Sequence, residues 1–492
     1  MVEGFAIHNF RSFRDTGRIF LAPVTCLVGR NSSGKSSIIH ALTLLRQSNE
    51  YPALGTRVPQ LNLNGPLIEA GDYKDLISDH DPQLPLSFVF YLSLAPFVPH
   101  PEGRDPTSLV ELDIPRPYER GRLGFGLRYL PVSERPVKSV DAAIELQFLP
   151  QPPFGPTLSR LVIGIADFGK ATFVRTSAGQ RVQHWRSYFE GLPSQSLELL
   201  FPRASFFPYL NQRNRRTSVS RGQSQVRRFI NYAHIGFSEI ANFLTEAKMV
   251  GPFRTPPARR YSFTGFGAVD TGTSGQRAID LLITERLLRH PGGEHLRTAI
   301  SYWLKRLGLA RAIDVKNLAR RSNIFEILIS GAGGVPTANF ADVGFGISQV
   351  LPVLVQGFLV RKGGTFIVQQ PELHLHPDAQ AELGDFFLYL ASQGINCIVE
   401  THSEYILVRF RRRLAERERP ELIGLPNERP GKPRRPSRRD LSVLHVSQDH
   451  AGAHLRRISI DRAFQFQDLP KGFMSQAIDD RLQLMKALGN RG

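Results

Sequence analysis

The sequence predicts an α/β fold built around a mostly parallel sheet, because apolar strand-like runs alternate with amphipathic helical segments towards both ends of the chain. Near the N-terminus, the apolar run Val24–Val28 leads through a glycine-rich loop into a helix predicted from Gly34 to about Gln47. In the last third, a strand at Thr365–Val368, a helix at Ala379–Gln393 and a strand at Ile395–Val399 follow one another. Such alternation is typical of parallel sheets covered by helices.

Composition divides the chain into five segments. Residues 1–80 are predicted to form an N-terminal lobe, and residues 261–415 a C-terminal lobe. Between them, residues 81–260 contain many Pro and Gly residues and are interpreted as a basic insertion or lid. Residues 416–440 are rich in Pro and Arg and predict a flexible linker, and residues 441–492 form a small C-terminal segment.

The apolar content indicates a globular protein without a membrane anchor. Hydrophobic residues make up 41% of the 492 residues, enough for a sizeable core. No apolar run approaches the roughly 20 residues of a membrane span, and the first residues lack a signal-peptide pattern. Cys26 and Cys397 each lie in an apolar strand-like run, which favours buried, reduced thiols. We therefore expect a soluble, cytoplasmic protein.

The charge favours an anionic partner. Lys and Arg number 62 against 44 Asp and Glu, a net charge of +18. Arginine-dense surfaces grip phosphates without reading sequence, so DNA or RNA is the predicted partner, although a solvated basic surface gives the same composition. Phe206, Phe207 and Tyr209 beside the first arginine cluster fit either a core or a platform for stacked bases. The residues predicted to contact nucleic acid are Arg213, Arg215, Arg216, Arg227 and Arg228, and a second cluster of Arg411, Arg412 and Arg413.

The loop after the first apolar strand carries the most specific motif. Residues 29–36 match GxxxxGK[ST] in full, and a strand precedes them and a helix follows, which argues against a chance Gly/Ser turn. Its glycines let backbone amides wrap around phosphate, Lys35 reaches the β- and γ-phosphates, and the Ser36 hydroxyl ligates Mg²⁺. ATP and Mg²⁺ are the predicted cofactors. The predicted nucleotide-binding residues are Gly29, Asn31, Ser32, Ser33, Gly34, Lys35, Ser36 and Ser37.

Three later segments extend this motif into a series. Residues 341–349 resemble a degenerate ABC signature, residues 369–377 a Walker B and D-loop run, and residues 401–403 a switch-histidine loop. In this order, and with Asn31 in the third position of the P-loop, they resemble repair-type ABC ATPases of the SMC, RecF and OLD kind. Among these families, the ATPases with a short C-terminal domain of unknown function resemble the sequence most. ATPases of anti-phage systems such as Septu are similar to it as well. The resemblance covers roughly residues 1–50 and 340–492.

The resemblance implies an ABC-type P-loop ATPase head that forms a homodimer or higher oligomer. Two copies would sandwich two ATP molecules, each held by the P-loop of one subunit and the signature of the other. Gly344, Gly346 and Ser348 would make the signature contacts, although Gly344 stands where a signature normally has Ser. An ordinary helix cap explains the same residues.

The Walker B run departs from the family where hydrolysis occurs. Gln369 and Gln370 replace the usual Asp-Glu, so Gln369 is left as a weak metal ligand and Gln370 as an orienting amide. General-base catalysis contributes roughly 10²–10⁴-fold, so turnover is expected to be slow unless Glu372 acts as base. Restoring the two acids at 369 and 370 should then raise it. The resemblance assigns γ-phosphate sensing to His402, whereas His374 and His376 have no third ligand at metal-site spacing.

No nuclease signature follows the switch histidine. Asp479 and Asp480 lack the spacing of the strand-end acids that fused nucleases of some OLD relatives carry. We therefore expect an effector nuclease on a partner chain. The function predicted is a nucleotide-dependent ATPase that binds nucleic acid and gates this partner, in anti-phage defence. A non-hydrolysing switch and a RecF-like repair ATPase are the alternatives.

Overall fold

A computed structural model provides the coordinates of this chain. It describes residues 1–51, 59–95, 139–151, 154–176, 185–192, 197–201, 206–212, 221–265, 267–288, 295–319, 323–331, 336–416, 438–461 and 465–467. Arg213, Arg215 and Arg216, most of the predicted linker, and Asp479 and Asp480 lie outside these ranges.

The strands and helices follow in chain order. The strands are β1 (Val2–Phe10), β2 (Phe13–Asp15), β3 (Ile19–Phe20), β4 (Val24–Gly29), β5 (Leu86–Leu94), β6 (Val140–Gln151), β7 (Phe154–Ile165), β8 (Gly169–Arg175), β9 (Trp185–Glu190), β10 (Leu197–Leu200), β11 (Tyr209–Gln212), β12 (Ala247–Val250), β13 (Tyr261–Ser262), β14 (Ala312–Asn317), β15 (Ile324–Ser330), β16 (Ala338–Asn339), β17 (Thr365–Gln369), β18 (Asn396–Glu400), β19 (Leu441–Asp449) and β20 (Gly452–Ile458). The helices are α1 (Lys35–Glu50), α2 (Tyr73–Leu76), α3 (Arg221–Glu246), α4 (Ala278–Leu288), α5 (His295–Arg306), α6 (Phe345–Leu359), α7 (Pro377–Ser392) and α8 (Glu404–Ala415).

The chain forms two compact units. Unit 1 comprises Met1–Asn9, Gln47–Gly65 and Glu69–Leu244, and unit 2 comprises Phe10–Arg46, Pro66–Ile68 and Thr245–Gly492. This division differs from the predicted segments, because residues 69–80 belong to unit 1 rather than to the lobe that holds the P-loop.

Unit 1 is built on an antiparallel meander in the strand order β1-β5-β6-β7-β8-β9. Its strands alternate buried and less buried residues, as β6 does with Ile144 and Leu146 inside, which is the pattern of a sheet with one covered face. Helix α3 packs on this sheet where it carries Gly236, since a Cβ there would lie 2.8 Å from Ile144 Cδ1. Phe206 stacks on Phe148 and is 3% exposed, so the core interpretation of that aromatic residue is the correct one.

Unit 2 is built on a six-stranded sheet in the order β12-β17-β18-β4-β19-β20. The neighbouring pairs from β12 to β19 are parallel, and only β20 runs antiparallel. The predicted α/β fold with a mixed, largely parallel sheet is therefore confirmed. The C-terminal segment is part of this sheet, because β19 pairs directly with β4. A smaller antiparallel sheet joins β13, β15, β14 and β16.

The core of unit 2 consists of large apolar side chains between the six-stranded sheet and its helices. Trp303 of α5 is 1% exposed and lies edge-on to Phe386 of α7, with 5.1 Å between ring centroids. Cys26 and Cys397 are fully buried free thiols in β4 and β18, as predicted, and burial raises the pKa of both. None of the helices in the described ranges is long and apolar enough to cross a membrane.

A buried ion network joins α5, α7 and α8. The Asp385 side chain is 0% exposed and accepts hydrogen bonds from Arg306, Arg409 and Arg413 at 2.6–2.9 Å. Each of these arginines also forms an ion pair with a second acid, Glu382 for Arg306 and Arg409, and Glu416 for Arg413. The network fixes the three helices relative to one another, because removing one member leaves a buried charge without a partner.

Candidate functional site

The parallel strands of unit 2 bring four loops to one edge of the sheet. The P-loop follows β4, Gln370 follows β17, Thr401 follows β18 and Gly251 follows β12. Ligands of open parallel sheets bind outside the carboxyl ends of the strands, so this edge is the expected place for a site. Segments that are hundreds of residues apart in the chain therefore meet around the P-loop.

Two glycines give the P-loop its shape. Gly29 and Gly34 have φ values of +144° and +103°, a region that L side chains rarely adopt. A Cβ at Gly29 would lie 2.2 Å from the carbonyl oxygen of Val446 on β19, so no other residue fits there without moving the strand. At Gly34 it would lie 2.8 Å from Ser12 Oγ. These contacts keep the loop tight and direct its amides towards the start of α1.

Lys35 is the first residue of α1 and spans the loop. Its ammonium donates to the carbonyl oxygens of Gly29 at 3.1 Å and Arg30 at 2.6 Å, and the residue is 3% exposed. Burial lowers the pKa of Lys35, and the negative charges of Glu400 and Glu372 oppose this shift. The helix N-terminus and this cation together create a positive potential suited to phosphate.

A buried glutamate that the motifs did not reveal lies against the P-loop. Glu400 is the last residue of β18 and is 3% exposed. Its Oε1 accepts a hydrogen bond from Ser36 Oγ at 2.7 Å, and its Oε2 accepts one from Gln369 Nε2 at 2.7 Å. The sequence left the amide of Gln369 as the strand-end ligand beside Ser36, and it did not identify Glu400 as a member of the site. The acid comes from the strand next to the Walker B strand.

Glu372 also lies in the site, as the sequence predicted. It is 8% exposed, and its Oε1 accepts the backbone N–H of His402 at 2.6 Å. Burial raises the pKa of Glu372, while the bond from His402 and the positive charge of Arg254 oppose the shift. A buried carboxylate with a raised pKa is suited to accept a proton. The turn that carries it is strained, because Gln370 has a φ of +45°.

His402 is exposed at the same edge, where its imidazole can face a ligand. Burial of part of its ring and the positive charge of Lys35 lower the pKa of His402, so the neutral ring is the dominant form at neutral pH. A neutral imidazole donates one hydrogen bond and accepts another. This position agrees with the predicted γ-phosphate contact, which stays a prediction.

Arg254 supports the Walker B turn from β12. The residue is 7% exposed, and its Nη2 donates to the carbonyl oxygens of Gln369 at 2.8 Å and Gln370 at 3.2 Å. Burial lowers the pKa of Arg254 to about 10, and the negative charge of Glu372 opposes this shift. Arg254 thus holds the strained turn and places a positive charge behind Glu372.

The signature residues occupy different environments. Gly344 is the exposed N-cap of the 15-residue helix α6, and Phe345 beside it is 68% exposed. Gly346 lies against the D-loop, since a Cβ there would be 3.0 Å from the His374 carbonyl oxygen. The Ser348 hydroxyl is buried and donates to the Phe345 carbonyl oxygen at 2.8 Å. In this chain the Ser348 hydroxyl is therefore bonded within its own helix, and the predicted nucleotide contact stays a prediction.

Some of the arginines predicted to bind nucleic acid are exposed, and others bond to neighbouring side chains. Arg227 and Arg228 are exposed on α3 of unit 1. Arg412 is exposed on α8 of unit 2 and pairs with Glu416 at 2.5 Å. The Arg411 guanidinium lies over the Phe466 ring and bonds Gln465.

Arg413 points inwards and is 8% exposed within the Asp385 network. Its assignment to a nucleic-acid surface is therefore wrong.

The residues at the sheet edge fit ATP and Mg²⁺. Mg²⁺ prefers hard oxygen donors, one or two of them carboxylates, together with substrate phosphates, and Ser36 and Glu400 would offer a hydroxyl and a carboxylate side by side. Ser33 Oγ is buried and, within the described residues, has no hydrogen-bond partner, so it can serve a phosphate oxygen. Bound Mg²⁺ would neutralise phosphate charge and polarise the γ-phosphoryl group.

Two family profiles match the segments that contain these motifs. The profile described as "AAA ATPase domain" matches residues 1–83, which include the P-loop. The profile described as "AAA domain, putative AbiEii toxin, Type IV TA system" matches residues 265–408, which include the signature, Walker B and switch-histidine segments. The two matched segments are therefore similar to AAA-type ATPase domains, and together they include the P-loop and the three later motifs. None of the curated proteins compared with the sequence matches it.

Solved structures of SMC head domains align with nearly the whole chain at low similarity. An SMC head bound to the C-winged helix domain of ScpA aligns with a TM-score of 0.42 and 11% identity over 94% of this chain and 98% of that one. The SMC head domain from Thermotoga maritima gives 0.36 and 9% over 93% and 99%. An SMC head with an extended coiled coil, bound to the C-terminal domain of ScpA derived from Pyrococcus furiosus, gives 0.40 and 10% over 98% and 99%.

Sequence reasoning missed Glu400 and counted Arg254 among the basic residues of the insertion, with Arg259 and Arg260. Glu400 precedes Thr401-His402-Ser403 directly, so a strand-end acid was visible in the sequence, but its partner Gln369 was not. Arg254 stands between Pro252 and Pro256, where an isolated arginine carries no signal of its burial. Both roles depend on strand neighbours that only the sheet order reveals.

Proposed function

We propose that this protein is a nucleotide-dependent ATPase that closes as a homodimer around ATP, binds nucleic acid and gates a partner effector, in anti-phage defence. One observation carries the ATPase part of this proposal. Four residues lie together at one edge of the six-stranded sheet, namely Lys35, Ser36, Glu372 and Glu400. Glu372 is the base, His402 faces the γ-phosphate and Gln370 orients the attacking water. With two buried acids in the site, hydrolysis becomes the favoured reading over a non-hydrolysing switch.

The exposed start of α6 supports the dimer. Phe345 is 68% exposed beside the Gly344 cap, and its ring lies 5.9 Å from that of His374. A large exposed aromatic residue next to free helix amides suits a surface that meets both a phosphate and a second copy. ATP should therefore shift the protein from monomer to dimer in light scattering. Phe345→Glu should prevent the shift while ATP still binds, and an ATP-driven dimer of that variant would exclude this face.

The net charge of +18 and the exposed arginine pair on α3 support nucleic acid as the ligand. Binding to DNA or RNA should weaken steeply with salt, because each neutralised phosphate releases counterions. Arg227→Glu with Arg228→Glu should weaken it further. The matched control reverses Arg361 and Lys362, an exposed basic doublet in the turn after α6.

Fluorescence anisotropy with single-stranded and duplex oligonucleotides at about 50 mM salt decides the question. If both double variants lose the same affinity for the oligonucleotides, the loss reflects net charge and not contacts made by Arg227 and Arg228. No binding by the natural protein, with or without ATP, would leave the arginines as solvated surface.

We propose that the effector nuclease is a separate chain whose activity this ATPase gates. Co-purification with the products of neighbouring genes tests it. A nuclease whose activity depends on Lys35 of this chain supports the gate, whereas recombination proteins in its place would favour a repair role.

A further inference from the structure

We infer that the acid of the magnesium site is supplied by Glu400 on β18, and that Gln369, at the strand end where the resemblance places an acid, holds that carboxylate in position. This inference rests on the proposed ATPase function. It concerns two residues that are direct partners in the parallel pair of β17 and β18, Gln369 and Glu400.

The register of the two strands places these two side chains together. Residues that pair across neighbouring strands project their side chains on the same face of the sheet, a few ångströms apart. Gln369 is 4% exposed and Glu400 is 3% exposed, so both side chains lie in the same buried layer beneath the P-loop. A carboxylate at either position can therefore reach Ser36.

The hydrogen bonds show which side chain holds the metal position. Ser36 donates to Glu400 Oε1 at 2.7 Å, and the amide of Gln369 donates to Glu400 Oε2 at 2.7 Å. An amide cannot neutralise a cation, whereas its N–H₂ group can fix a carboxylate in one orientation. Gln369 is therefore a positioning residue, and Glu400 supplies the negative charge.

Glu372 is bonded elsewhere than to Ser36, and its Oε2 is buried without a hydrogen-bond partner among the described residues. Its Oε1 is taken by the backbone N–H of His402 at 2.6 Å, and the P-loop hydroxyl is bonded to Glu400 instead. The two buried acids thus have different roles. Glu400 would bind Mg²⁺, and Glu372 would act on the attacking water.

With Glu400 at the metal position, substitution at 369 should have a different effect from the one the sequence suggests. A second acid there would place two carboxylates against each other in a buried layer, where like charges repel. Restoring Asp at 369 and Glu at 370 should consequently lower metal binding instead of raising turnover, which reverses the expectation from the sequence alone. Only a reciprocal change keeps one acid and one amide.

The experiment compares four proteins by the gain in ATP affinity that Mg²⁺ confers, measured by calorimetry with Mg²⁺ and with EDTA. Binding of Mn²⁺ in the presence of a non-hydrolysable ATP analogue, followed by electron paramagnetic resonance, gives a second readout that needs no turnover. The proteins are the natural chain, Glu400→Gln, Gln369→Glu, and the isosteric exchange Gln369→Glu with Glu400→Gln. Glu326→Gln on β15 of the smaller sheet is the control for loss of one acid.

Glu400→Gln should reduce the Mg²⁺ gain and the Mn²⁺ affinity by at least about tenfold, while ATP binding in EDTA is retained. Gln369→Glu alone should also weaken Mn²⁺ binding, and the exchanged pair should recover most of it. An unchanged Mg²⁺ gain in Glu400→Gln, with ATP still bound, would overturn the inference and leave the ATPase intact. Absence of ATP binding by the natural chain would refute the ATPase itself, and the inference with it.

Discussion

Replacing Glu372 by Gln tests the assignment of the catalytic base. The change keeps the shape of the side chain and its acceptor for the His402 N–H at 2.6 Å, but it removes the capacity to take a proton. General-base catalysis is worth roughly 10²–10⁴-fold. Turnover should therefore fall by that factor, a barrier increase of about 3–5 kcal/mol at 1.36 kcal/mol per tenfold. ATP affinity should stay the same, because the base acts on water and not on bound nucleotide.

The assay is phosphate release at saturating ATP and Mg²⁺, with Glu326→Gln as the control. Burial raises the pKa of Glu372, and a base must be deprotonated to act, so turnover of the natural protein should be lost as pH falls through that raised pKa. This pH limb should be missing from Glu372→Gln. Equal turnover in the two proteins would refute the assignment and require a base from another subunit.

Two further predictions concern stability. Asp385→Asn should lower the free energy of unfolding by about 3–5 kcal/mol, because it leaves three arginine side chains around a buried site without their common partner, and urea denaturation measures the loss. His234 accepts the Leu210 N–H through Nε2 at 3.0 Å, and burial lowers its pKa from 6.5 to about 4. The unfolded chain then binds this proton first, so stability is present above pH 6.5 and is lost towards about pH 4, by up to about 3 kcal/mol. Denaturation of His234→Phe should show a weaker pH dependence; an identical profile would contradict the assignment.

The P-loop and its flanking elements could be read from the sequence because local signals suffice there. The predicted helix from Gly34 begins at Lys35, and the predicted strand at Val24–Val28 ends one residue later. Glycine spacing, an apolar strand and a helix start within a few residues of one another encode the phosphate cradle without help from the rest of the chain.

Unit 1 was not predictable in the same way. Strands β5 to β9 pair across connecting segments of very different length, and their apolar alternation is interrupted by Pro and Gly. Helix α3 has 26 residues, and its first turn is polar, with Arg221 and Gln223, so apolar periodicity does not mark where it begins. Its place is fixed by packing, through Gly236 against Ile144, which no local pattern encodes.

The metal position shows the same limit within the motif region. The predicted strand is Ile395–Val399, whereas the observed strand β18 is Asn396–Glu400. Glu400 is therefore the last residue of β18, and it pairs with Gln369 of β17. From the chain alone, the two glutamines at the Walker B position left the metal position without an acid. The parallel register supplies the acid from the neighbouring strand, because strand order is a property of the whole sheet.

Calorimetric ATP titration of Lys35→Ala tests the central claim, a nucleotide-binding P-loop, most directly. The Lys35 ammonium is the buried cation of the loop, held between the carbonyl oxygens of Gly29 and Arg30. Without it, ATP binding should be abolished, while the exposed-lysine control Lys362→Ala should bind as the natural protein does. Circular dichroism should show both variants folded. Unchanged ATP affinity in a folded Lys35→Ala protein would contradict the account.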